Sequence, residues 1–255
     1  GYDAIFLTGV SPKPVYIFVN DGEVSIKDAD HLWGKDTSET DVLIKSELAD
    51  GKVGIACIGP AGEAKSLIAA ILHEGCAAAR GGLAAVMGSK SLKALVVRGT
   101  KKAQVADPER FTILRKQYLK EMKDTDDEGA LVYKKYGTCG LFSACLVSGD
   151  TPIKNWTRFG EEGFPTFANL DGDAIVRYQT KKHACLGCPV GCKGWLEIKG
   201  GTYGTFVSTK IEYETLGMLG SNLLIDDAEA VAKANDLCNR YGLDTISTGA
   251  VIAFA

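Results

Sequence analysis

The chain has 255 residues, 45% of them hydrophobic, and 32 acidic against 29 basic side chains give a net charge of −3. That length and apolar content suffice for a sizeable core in one or two domains, while charge without a long run of one sign argues against nucleic-acid or polyanion binding. No apolar run approaches the roughly 18 residues needed to span a bilayer, and no signal peptide is visible.

The chain opens without Met at Gly1-Tyr2-Asp3-Ala4-Ile5-Phe6-Leu7 and closes on an apolar helical run ending at Ala255. Both ends look cut, so an internal piece of a longer protein is expected. Ala4–Thr8, Val15–Asn20 and Glu23–Asp28 read as strands, with Asn20-Asp21-Gly22 turning between the last two. Ser38–Leu48 fits a helix with a Ser/Thr cap and apolar Val42, Leu43, Ile44 and Leu48. Val53–Ile58 and Ala94–Val97 read as buried strands, with the Gly-rich stretch Gly81–Lys90 between them.

Asp107-Pro108-Glu109 is a helix N-terminus, and helices are predicted over 108–124, 127–135, 138–147 and 171–181. The change of composition near Thr100–Pro108 places a domain boundary there. Trp195–Ile198 reads as a strand and Lys199-Gly200-Gly201 as a turn. Helices follow over 211–221 and 227–241, and a third begins near Thr245. The middle one carries Val231, Ala234, Cys238 and Tyr241 as a buried stripe. Asp226 with Glu229 resembles a capping box, and Gly242 ends the helix.

Of eight cysteines, Cys57, Cys76, Cys139, Cys145 and Cys238 stand singly and read as buried free thiols. This usage favours a reducing cytoplasm. The other three form "CLGCPVGC", with Cys185, Cys188 and Cys192 spaced C-x-x-C-x-x-x-C. Such thiolates can converge from one loop on a single soft-metal centre, an iron–sulfur cluster or zinc. The run lacks the four cysteines of bacterial ferredoxins, and no second C-x-x-C exists for a zinc ribbon. His183 is a candidate fourth zinc ligand, crowded against Cys185, and fortuitous clustering is the remaining alternative.

Three further stretches carry chemistry. In "ARGGLAAVMGSKSLKALVVRG" (79–99), Gly81 and Gly82 allow close backbone approach and Arg80 offers a forked donor for phosphate or carboxylate. A turn plus a packed helix explains it equally well. In "NRYGLDTISTG" (239–249), Asn239 and Asp244 could read the donor edge of a heterocycle, or Asp244 could simply cap the next helix. In "KIEYETLGMLGSN" (210–222), Glu212 and Glu214 lie two apart, so a helix points them to different faces. Solvated surface is the default for both.

Together "RGGLAAVMGSKSLK" (80–93), the three clustered cysteines, "EYETLG" (212–217) and "YGLDTISTG" (241–249) resemble the aldehyde ferredoxin oxidoreductase family, in the same order and rough spacing. The resemblance implies an α+β fold. Residues 1–103 would be the later part of a β-rich N-terminal domain forming the cofactor base, and 104–255 a truncated, mainly helical domain with the iron–sulfur cysteines. It implies a tungsten (or molybdenum) bis-pterin held without protein side chains on the metal. A [4Fe-4S] cluster would sit on Cys185, Cys188 and Cys192, with its fourth ligand in a third domain. Cys76, Ala77, Ala79, Arg80, Gly81 and Gly82 correspond to one pterin-binding segment, and Asn239, Leu243, Asp244 and Thr245 to another.

The implied reaction oxidises an aldehyde to its carboxylic acid and passes electrons to ferredoxin, with Glu214 first and Glu212 second as the carboxylate moving protons. No nucleic acid and no membrane span are implied, and a homodimer is compatible. The sequence departs from the family in several places. Asn239 stands where Asp is usual in D-x-x-G-L-D, Ala84 replaces a familiar Gly, and the Arg and Gly often found before Arg80 are missing. The helix at 227–241 also has no E-x-x-H. A non-catalytic iron–sulfur or zinc module, or the catalytic subunit of a related complex with another substrate, are the rival readings.

Overall fold

The computed structural model describes residues 4–101 and 104–255. Gly1–Asp3 of the opening segment and the 102–103 end of the expected first domain lie outside them. The fold is α+β, and the chain forms two compact units. One comprises the residues up to Gln104 together with Leu237–Asp244; the other comprises Val105–Asp236 and Thr245–Ala255.

The first unit is built on a mixed six-stranded sheet. Its strands are β1 (Val15–Asn20), β2 (Glu23–Asp28), β3 (Gly54–Ile58), β4 (Ile71–His73), β5 (Cys76–Ala78) and β6 (Leu92–Arg98), in the order β2-β1-β6-β3-β4-β5. Only β1 and β6 run parallel; the other pairs are antiparallel. The β1–β2 hairpin closes at Asn20↔Glu23, with Asp21 and Gly22 both at positive φ, the two-residue turn that matches strand twist.

Three helices accompany this sheet: α1 (Thr37–Glu47), α2 (Pro60–Glu63) and α3 (Leu83–Ser89). The cap of α1 is Asp36, one residue before the expected Ser/Thr: it accepts from Glu39 N–H while the Glu39 carboxylate accepts from Asp36 N–H. A short carboxylate in extended backbone satisfies these orphan amides directly. On α1, Thr37, Thr40 and Ile44 are buried, and Ile44 joins Tyr16, Leu32, Ile55, Cys57, Ala94 and Val96 in the main core. Burial alternates along β3 from Gly54 to Cys57 and along β6 from Ala94 to Val97, as the period of two requires. Ala4–Thr8 forms no strand, because no neighbouring strand offers it a ladder. Conversely, β4 and β5 are too short to show any periodicity.

The second unit is largely helical, with α4 (Pro108–Lys123), α5 (Glu128–Lys135), α6 (Phe142–Val147), α7 (Gly160–Gly163), α8 (Gly172–Val176), α9 (Tyr213–Leu219), α10 (Ala228–Tyr241) and α11 (Thr245–Phe254). The last turn of α10, from Leu237, belongs to the first unit. A small antiparallel sheet orders β7 (Gln179–His183), β8 (Lys193–Gly201) and β9 (Gly204–Thr209) as β7-β8-β9.

Several expectations are corrected here. The helix expected over 171–181 ends at Val176 and gives way to β7. The turn expected at Lys199–Gly201 falls later, since Gly201 still pairs with Gly204. The cap of α10 is Asp227, whose carboxylate accepts from Glu229 and Ala230 N–H, in place of Asp226. Tyr241 is 50% exposed, so the stripe of α10 buries Val231, Ala232, Asn235 and Cys238 instead. The buried amide of Asn235 is anchored by Ser208 and Thr209 at the end of β9.

Among the single cysteines, Cys57, Cys139 and Cys238 are buried, but Cys76 and Cys145 are only half-buried. Among the described residues, no helix is long and apolar enough to cross a membrane.

Candidate functional site

In the first unit, residues 67–70 lie between the two Gly-rich stretches. The Ala70 N–H donates to the Gly242 carbonyl at 2.8 Å, the Asp244 N–H donates to the Ile68 carbonyl at 2.9 Å, and Ala69 bridges Leu243. On the other side, a Cβ placed on Gly82 would stand 3.0 Å from the Leu67 carbonyl oxygen. One short segment thus contacts both the Arg80–Gly82 turn and the loop after α10. Gly81 and Gly82 both have positive φ, at 90° and 68°, which is why the turn carries two glycines.

The loop is held from a second direction by close approach. A Cβ on Gly242 would stand 2.8 Å from Gly59 N, so the chains meet backbone to backbone. Thr37 Oγ1 also donates to the Asn239 carbonyl at 2.9 Å. Arg80 is exposed, Asn239 and Leu243 are half-buried, and Asp244 is buried. Cys76 and Ala77 stand on edge strand β5, Cys76 paired with His73 and Ala77 with Leu72, and Ala79 follows the strand.

In the second unit, the register pair His183↔Lys193 clamps the ends of the β7–β8 hairpin, and residues 184–192 form its loop. All three clustered cysteines stand in this one loop. Cys188 N–H donates to the Cys185 carbonyl at 3.0 Å. The backbone N–H groups of Gly191 and Val190 donate to the Cys188 sulfur and, with the Lys193 charge, hold its thiol below the ordinary range. Burial pushes the Cys192 thiol up, as do Glu212, Cys188 and Cys185 beside it. Among the described residues, no three His, Cys, Asp or Glu side chains gather around one point as a bound metal ion requires.

The donor set nonetheless fits a soft metal centre: three thiols share one neighbourhood, and amide donors favour thiolate at Cys188. Cys188 also lines a cavity of about 560 Å³ along α4, with Phe111, Leu114, Arg115, Tyr118 and Leu119.

The two glutamates diverge as their spacing implies. Glu212 precedes α9 and is half-buried; its carboxylate accepts from Thr138 Oγ1, which in turn accepts from Tyr213 N–H. Glu214 is exposed in the first turn of α9. One residue on, Thr215 Oγ1 lies 2.8 Å from Thr245 Oγ1, joining "EYETLG" to the start of α11.

Sequence reasoning missed Lys210, which follows β9 and is only 5% exposed. Burial lowers its ammonium pKa, opposed by Cys139, Glu212 and Cys192 nearby. A lone lysine between a strand and a helix carries no signal that separates it from a surface base. The 67–70 segment was equally silent, since its partners lie far along the chain.

Two family models match this chain. One, described as the aldehyde ferredoxin oxidoreductase N-terminal domain, covers residues 1–99; the other, described as domains 2 and 3 of that enzyme, covers residues 113–255. The chain is 40% identical over its whole length to a tungsten-containing aldehyde ferredoxin oxidoreductase of Pyrococcus furiosus. It is 42% identical to the protein of that name from Pyrococcus horikoshii, and 30% identical to an aliphatic sulfonate oxidoreductase WOR-like subunit of Pyrococcus furiosus. The chain spans about two fifths of these curated relatives, 41% to 42% of each. Among solved structures, the active-site complex BamBC of benzoyl coenzyme A reductase with 1,5-dienoyl-CoA is similar at TM-score 0.76 and 28% identity, over 96% of this chain and 38% of that one.

Proposed function

The chain belongs to the aldehyde ferredoxin oxidoreductase family, and from that premise we propose that its protein oxidises an aldehyde to the carboxylic acid in the cytoplasm and delivers the electrons to ferredoxin. The observation that carries the reading is the hairpin loop of Cys185, Cys188 and Cys192, with backbone N–H groups aimed at Cys188. When bound, a tungsten (or molybdenum) bis-pterin supplies the two-electron oxidation, and a [4Fe-4S] cluster supplies the one-electron outlet.

The chain's own residues have separable tasks. Cys185, Cys188 and Cys192 supply three cluster thiolates. Arg80 offers its guanidinium to a pterin phosphate, beside the backbone of Cys76, Ala77, Ala79, Gly81 and Gly82. Asn239, Leu243, Asp244 and Thr245 face the pterin ring edge, where an amide at 239 brings a hydrogen-bond partner without charge.

Oxidation of RCHO with water to RCOOH releases two electrons and two protons. Glu214, exposed in the first turn of α9, takes a proton at its carboxylate, and Glu212 is the second candidate.

Similarity to the sulfonate oxidoreductase subunit and to the benzoyl coenzyme A reductase complex supports a second reading, a catalytic subunit acting on another substrate. Elemental analysis of the full-length protein purified without oxygen tests both readings. Tungsten or molybdenum with about four irons per chain is expected, and zinc alone rejects them. Turnover of aldehydes with ferredoxin then separates the first reading from the second.

A further inference from the structure

Lys210 N–H donates to the Gly194 carbonyl at 2.8 Å, so the β8–β9 pairing carries this residue back towards the cysteine loop. Its side chain turns inward. Among the described residues, its Nζ is one of two buried side-chain nitrogen or oxygen atoms without a hydrogen-bond partner; Gln179 Oε1 is the other. The site it enters is marked by Gly137, whose φ is 77°. A Cβ there would stand 2.6 Å from the Cys192 carbonyl oxygen and 3.0 Å from both Cε and Nζ of Lys210. The ammonium therefore shares this small space with the backbone of Cys192, the last cysteine of the loop.

An unpaired ammonium out of water is costly. None of the groups around it accepts a hydrogen bond from the ammonium. The Cys139 thiol donates to the Tyr136 carbonyl at 3.0 Å and burial pushes it up to about 12, so it stays uncharged. The Glu212 carboxylate is the nearby anion, and it is engaged by Thr138 Oγ1. What the neighbourhood would add on loading is the negative charge of the cluster and its thiolates.

We infer that Lys210 is a buried counter-charge for an iron–sulfur cluster on Cys185, Cys188 and Cys192, and that it sets the cluster's reduction potential. The inference rests on the cluster reading above. A fixed cation in a low-dielectric site stabilises the reduced, more negative cluster, and it does so more strongly than a solvated surface lysine can.

The test is an anaerobic redox titration of the full-length protein, followed by electron paramagnetic resonance, with iron content measured for each variant. Lys210→Met is expected to cut the reduced-to-oxidised ratio at fixed potential at least tenfold, a downshift of about 59 mV for one electron. Lys210→Arg is expected to restore the wild-type value. Lys181→Met, an exposed lysine on β7, is expected to move the potential less. Loss of the cluster in Lys210→Met with rescue by Lys210→Arg also supports the assignment. A loaded Lys210→Met protein at the wild-type potential overturns it, as does Lys210→Arg behaving no better than Lys210→Met, or Lys181→Met matching it. Absence of a cluster from the wild-type protein would instead reject the parent reading.

Discussion

The Arg240 guanidinium closes on the Asp36 carboxylate, with Nη2 2.6 Å and Nε 2.8 Å from Oδ2. The same carboxylate caps α1 through its other oxygen, which accepts from Glu39 N–H at 2.8 Å. One side chain that is 12% exposed thus ties the start of α1 to the last turn of α10 within the first unit. Asp36→Ala removes both contacts and is expected to cost about 1–3 kcal/mol. Asp36→Asn keeps the cap and loses the charge, so it should fall between. Urea unfolding of the three proteins checks the order, and equal stability of Asp36→Ala and wild type rejects it.

The cysteine loop makes a sharper claim. Replacing Cys188 with Ser leaves the backbone donors of Gly191 and Val190 in place but removes the soft ligand they favour. Broad iron–sulfur absorbance and iron content should both fall in the full-length protein, while Cys145→Ser, at a half-buried single thiol outside the loop, should change neither. Undiminished absorbance in the Cys188→Ser protein would remove this loop as the cluster site.

Glu212 and Glu214 separate because one precedes α9 and the other opens it. Glu214→Gln is expected to lower turnover by roughly 100-fold or more, with metal content retained, if its carboxylate moves the proton. Glu212→Gln can still accept from Thr138 Oγ1 and should lose less. Steady-state rates for both variants decide the order; a normal Glu214→Gln rate excludes that role.

Much of this organisation was legible where the signal was local. The Asn20-Asp21-Gly22 turn and its flanking apolar runs yielded β1 and β2 at their observed bounds, and Asp107-Pro108 marked the start of α4. Cys185, Cys188 and Cys192 could be grouped from the sequence because they are neighbours in the chain, and they share one hairpin loop. Non-local features were silent. β7 is polar Gln-Thr-Lys-Lys-His and becomes a strand only by pairing with β8. The contacts of Ile68–Ala70 with Gly242–Asp244 join segments distant in sequence. Lys210 acquires meaning only through burial.

Cys57 gives the fold a pH dependence of defined sign. It is 2% exposed, in the main core, and burial pushes its thiol up to about 12 against the opposing charge of Lys93. In the unfolded chain a thiol titrates near about 8.5. Between those values the unfolded chain gives up a proton that the folded protein keeps, so stability falls as pH rises. The contribution is intact below about pH 8.5 and declines by about 1.4 kcal/mol per pH unit above it. Cys57→Ala should be somewhat less stable at neutral pH through lost packing, yet lose less stability between pH 8 and 10.5. Urea titrations of both proteins across that range read the difference directly. Two curves that stay parallel would show that the buried thiol does not titrate on unfolding as its surroundings require.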